Sequence, residues 1–140
     1  MNRKIEHIIK PELNAIASTL GKDFVYFRQR YFVHHRQMPE AEFHKDLTKL
    51  AIKSTTSRGL KILIAAPRGS GKSTIISEEF IVYCICNNLE KYILLVSNTI
   101  GQVKDMIANV KDELLNNRPL AEDYPHVCET GEPPKSPRWT

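Results

Sequence analysis

Long apolar runs are missing from this chain of 140 residues. No stretch approaches the roughly 18–20 consecutive apolar residues that cross a bilayer, so no membrane partner is expected. Basic residues occur in Met1-Asn2-Arg3-Lys4-Ile5-Glu6-His7, but no apolar core follows them. A secretory signal peptide is therefore not expected. Cysteine is scarce too: Cys84, Cys86 and Cys128 do not make a disulfide framework. They read as reduced packing residues, which suits a cytoplasmic protein. There is no dense Lys/Arg run and no internal repeat. The formal net charge of +4 is unevenly spread: residues 1–60 hold 11 Lys and Arg against 6 Asp and Glu, whereas residues 61–140 hold 9 against 10. The basic first half is either a face for nucleic acid or a solvated surface. What remains, 41% hydrophobic and 26% charged residues, suits one soluble globular domain.

Glycine is also sparse, and two of the six glycines fall in one short loop. The apolar run Ile62-Leu63-Ile64-Ala65-Ala66 leads into Pro67-Arg68-Gly69-Ser70-Gly71-Lys72-Ser73-Thr74, and a helical pattern from Ile75 to Asn87 leads out. Strand, Gly-rich turn and helix N-terminus form the context of a phosphate-binding loop. Gly69 and Gly71 permit backbone angles and a close approach that a Cβ would block. Successive N–H groups can then face one anion, aided by the first turn of the helix. Lys72 supplies a mobile point charge for the β- and γ-phosphates. The Ser73 hydroxyl is a hard oxygen ligand for Mg²⁺, and Thr74 can donate to an α-phosphate. Arg68 is either a solvated turn residue or a cation that reaches the γ-phosphate in cis. In the usual pattern, G-x-x-x-x-G-K-[ST], the first position is Gly; here it is Ala66, so the leading glycine is missing.

The rest of the chain is read around this loop. Ile5, Ile9, Leu13, Ile16 and Leu20 recur at helical spacing. The stretch 24–32 holds five of the ten Phe and Tyr residues. Phe24, Phe27 and Tyr31 would share one helical face, either as packed core or as a platform near an adenine with Arg28 or Gln29 on the base edge. Pro39-Glu40 opens another helix with Phe43, Leu47, Leu50 and Ser54 inside. Lys61 to Ala66 is expected to be one buried strand and Tyr92-Ile93-Leu94-Leu95-Val96 a second, joined by a right-handed crossover. Ser97-Asn98-Thr99 caps a helix whose Ile100, Val103, Ile107, Val110 and Leu114 step along one face. The expected fold is α/β, a truncated parallel-sheet core of the P-loop NTPase type behind a helical N-terminal region. Three parts follow: helices over 1–59, the partial core over 60–118, and a Pro-rich, mostly irregular tail over 119–140.

In combination, these residues resemble the N-terminal part of the large subunit of tailed-phage terminases, the motors that package DNA. The aromatic-rich helix, the basic loop Pro67 to Thr74, the strand followed by Ser97-Asn98-Thr99 and Gln102, then Asn116-Asn117-Arg118-Pro119-Leu120 and Asp123-Tyr124-Pro125 all come in order. The resemblance implies ATP and Mg²⁺ as cofactors. It implies phosphate binding by Pro67, Arg68, Gly69, Ser70, Gly71, Lys72, Ser73 and Thr74, a Mg²⁺ contact from Ser73, and catalytic roles for Lys72 and Arg68. Implied partners are double-stranded DNA, the portal protein of the procapsid, a small terminase subunit and further copies in a ring, in the cytoplasm of a bacterial host. The family's Walker B strand, apolar and ending in Asp-Glu, does not follow Val96, and Glu122-Asp123 is preceded by Pro119-Leu120-Ala121. The acidic cluster of the family's nuclease is missing as well. The chain is therefore expected to bind ATP without turning it over efficiently, and whether it is itself an enzyme stays open. Another P-loop NTPase of helicase-like kind and an inactive prophage remnant are the alternatives.

Overall fold

Aromatic spacing builds the first element. Residues 24, 27 and 31 stack on one face of a helix, and helix α1 spans residues 23–31 in a computed structural model that describes residues 23–36 and 39–128. The helical pattern of Ile5 to Leu20 and the prolines at 133, 134 and 137 lie outside the described residues. Phe24, Phe27, Tyr31 and Phe32 are all buried, and Phe27 meets Tyr31 edge to face with ring centroids 4.6 Å apart. These four rings are thus core, whereas Tyr26 is exposed. Arg28 is buried with it, bound to the Glu40 carboxylate at 2.5 Å and to Thr48 Oγ1 at 3.3 Å.

Helix α2, Glu42–Thr56, begins after an Ala41 cap and buries Leu47, Thr48, Ala51 and Ile52. Its inner face is turned from the expected Phe43–Leu47–Leu50–Ser54 line. Thr48 accounts for the turn: its hydroxyl accepts from Arg28 and donates to the His44 carbonyl at 3.0 Å, so a polar residue can be buried at little cost. Gly59, at φ 73°, then reverses the chain in the left-handed conformation glycine tolerates.

The parallel sheet is not present. The described residues are 62% helical and contain no strand. Residues 60–67 and 92–97 do run outside any helix, as their apolar patterns suggest, but neither stretch joins a ladder. Leu63 is 93% exposed and Tyr92 80%, so these are not central strands buried on both faces. Apolar, β-branched composition favours extended backbone locally. A sheet also needs a second backbone in register, and that is a long-range condition.

The chain divides into two compact units, Met1–Ile76 and Ser77–Thr140. A π-helical turn, Thr74–Glu79, begins in the first and runs on into α3 of the second, Phe80–Cys86. Ile81, Val82, Tyr83 and Cys84 are consecutive and all buried, so α3 is covered on more than one side. It ends at Asn88, whose φ of 51° is a common helix exit for asparagine. Helix α4, Ile100–Asn116, starts where the Ser-Asn-Thr sequence puts it, with the Thr99 hydroxyl accepting from the Gln102 N–H. Its apolar stripe is buried only at Val110 and Leu114, whereas Ile100 is left 76% exposed. Asn117 caps α5, Arg118–Asp123, which carries Pro119 in its first turn and buries Leu120 completely. α4 packs on both α3 and α5.

Candidate phosphate-binding loop

The loop lies wholly within the first unit. The chain arrives outside any helix through residue 66 and turns at once: the Ser70 N–H reaches the Pro67 carbonyl at 3.4 Å. Gly69 and Gly71 both take positive φ, 79° and 74°. That is the left-handed region an L-residue enters only at a cost, so the Gly-Ser-Gly spacing matches what the backbone needs. A Cβ at Gly69 would meet nothing within 4 Å, so the requirement there is conformational and one face of the turn is open. The helix begins immediately, with the Ile75 N–H bonded to the Gly71 carbonyl at 3.0 Å.

The side chains divide by exposure. Pro67, Arg68 and Ser73 are exposed, while Ser70, Lys72 and Thr74 are half-buried. Lys72 folds back over the turn, and its Nζ lies 3.4 Å from the Pro67 carbonyl oxygen, long for a hydrogen bond. Its ammonium is thereby held against the loop's own backbone by a contact that an anion would outcompete. The Ser70 hydroxyl oxygen is sealed from solvent and has no partner. All the residues expected to bind phosphate are therefore gathered on one turn, with cations at Arg68 and Lys72.

One participant carries no sequence signal. His44, in the first turn of α2, approaches the loop with Nε2 2.8 Å from the Ser70 carbonyl oxygen. Its other ring nitrogen, Nδ1, accepts the Ala41 N–H at 3.1 Å. Its bond to Ala41 caps the start of α2, and nothing local in the sequence announces a contact 26 residues away. The adjacent histidines, His34 and His35, lie in a 3₁₀ turn where His35 stacks on Phe32.

The residues present fit a polyphosphate. Two backbone positions without side chains, a mobile ammonium and an exposed guanidinium suit an anion. Ser73 offers one hard oxygen to Mg²⁺, an ion that takes most of its six ligands from phosphate and water in such sites. Comparison with protein-family models, curated proteins and solved structures finds no match. No helix among the described residues is long and apolar enough to cross a membrane.

Proposed function

We propose that this chain binds Mg-ATP through Pro67 to Thr74 and serves a DNA-packaging motor of the large-terminase kind. The observation that carries the nucleotide reading is the conjunction of left-handed Gly69 and Gly71 with a Lys72 ammonium parked on the Pro67 carbonyl. In this reading the turn's backbone receives the phosphates and Lys72 swings from the carbonyl to the β- and γ-oxygens. Ser73 contributes one Mg²⁺ oxygen, and Arg68 screens the terminal phosphate from solution. Bound Mg²⁺ supplies charge neutralisation on the phosphate oxygens.

The motor assignment rests on the ordered sequence features around the loop. It brings double-stranded DNA, a portal protein, a small terminase subunit and a ring of copies as proposed partners, with the bacterial cytoplasm as the place of action. The basic balance of residues 1–60 suits DNA contact.

Thermal unfolding with and without Mg-ATP tests the nucleotide reading. Saturation to about 100 times the dissociation constant adds about 2.7 kcal/mol to the folded state, a rise of several degrees for a domain of this size. The rise is expected in the natural chain and not in Lys72→Ala. A cooperative transition that Mg-ATP leaves unmoved in the natural chain would overturn the reading.

A further inference from the structure

We infer that His44 is the positioning residue of the phosphate loop, an inference that rests on the nucleotide reading above. Its ring bridges two backbones, and the bridge fixes its hydrogen. Nδ1 accepts from the Ala41 N–H, so the neutral ring carries its proton on Nε2 and donates it to the Ser70 carbonyl at 2.8 Å.

That donation has a consequence for the next residue. Among the described residues no peptide bond is cis, and in a trans peptide the C=O and the following N–H point in opposite directions. Holding the Ser70 carbonyl toward α2 therefore turns the Gly71 N–H away from α2. Gly71 sits at φ 74°, a conformation with alternatives open to glycine, so an outside contact is needed to select one peptide orientation. His44 is also close enough that a Cβ at Gly71 would lie 3.5 Å from Nε2, an ordinary van der Waals contact. The anchor itself is rooted. Arg28 donates to Thr48 Oγ1, and that hydroxyl donates to the His44 carbonyl one turn earlier on α2. A chain of contacts thus runs from the buried guanidinium on α1 through the first turns of α2 to the loop. His44 touches no phosphate in this account; it presets an amide that does.

Three variants of the full chain separate this role from helix capping. His44→Ala removes both contacts. His44→Asn keeps an acceptor near the Nδ1 position for Ala41 but cannot reach Ser70. His44→Gln places an amide N–H near the Nε2 position. Mg-ATP affinity is expected to fall about five- to tenfold, the worth of one hydrogen bond, in both His44→Ala and His44→Asn, and to return to within about threefold in His44→Gln. In the nucleotide-free protein, the Gly71 amide resonance should move in His44→Asn and return in His44→Gln. Affinity equal to that of the natural chain in His44→Asn, or equal losses in Asn and Gln, would overturn the inference while leaving nucleotide binding intact. An unmoved Gly71 resonance overturns it without reference to nucleotide. If Gly71 responds as expected but the natural chain and Lys72→Ala take up no Mg-ATP, the nucleotide reading fails, and the positioning role falls with it.

Discussion

The helices and the two extended stretches have been given similar amino acids and opposite surroundings. α3 runs Phe-Ile-Val-Tyr-Cys-Ile-Cys and buries five of its seven residues. Residues 92–96 run Tyr-Ile-Leu-Leu-Val and bury none of them. Both are rich in β-branched and aromatic residues. The difference lies in where their backbone hydrogen bonds go. A helix closes its bonds within itself and needs only a neighbour for its side chains, as α3 finds in α4. An extended stretch gains neither bonds nor burial until another strand lies beside it. Hydrophobicity alone therefore does not bury a segment; a partner for its backbone must come with it.

The sharpest way to break that comparison is to delete apolar side chains on each side of it. Leu120→Ala, at a fully buried position, should cost about 2–5 kcal/mol in chemical denaturation. Leu63→Ala, at a position 93% exposed, should stay within about 0.5 kcal/mol of the natural chain. Comparable losses at both sites would mean that residues 60–66 are packed after all.

A smaller effect is expected where α1 is tied by charge to the segment before α2. Glu40→Ala withdraws the carboxylate from buried Arg28 and should destabilise by about 1–3 kcal/mol, less than for a fully buried pair because the Glu40 side chain is 27% exposed. No change would show that Arg28 needs no help from Glu40.

Next in size is a response to alkali. Burial, reinforced by the Glu90 charge, pushes the Cys84 thiol up to about 12, and burial with Cys128 nearby does the same for Cys86. Above pH about 9 the unfolded chain loses these protons while the folded one keeps them. Their contribution is thus complete below pH 9 and lost as pH rises toward 12. Thiol-specific reagents should leave both unmodified at pH 8 until the protein unfolds, and prompt labelling would contradict their burial. The smallest expected effect is on stability in Leu94→Lys, near zero because the side chain is 68% exposed, with a gain in solubility as an apolar surface is broken.

The same contrast decides what could be read in the sequence. The turn at Gly69 and Gly71 is legible because glycine's need is local: both take positive φ, as Gly59 does. The start of α4 was legible because Thr99 caps its own neighbour, Gln102. The sheet is not legible in the sequence, because a run such as Ile62 to Ala66 encodes an extended preference and not the presence of a partner. The inner face of α2 was misplaced because Thr48 is buried by a guanidinium 20 residues away. His44 was missed for the same reason: its role depends on Ser70, and no pattern near position 44 points there.

The central claim is that residues 67–74 receive phosphate. Amide hydrogen exchange of the full chain, read residue by residue with and without Mg-ATP, tests it most directly. Slowed exchange is expected at Gly69, Ser70, Gly71, Lys72 and Ser73, and is expected to be lost in Lys72→Ala. Protection that falls elsewhere, or exchange at the loop that Mg-ATP leaves unchanged, would contradict it.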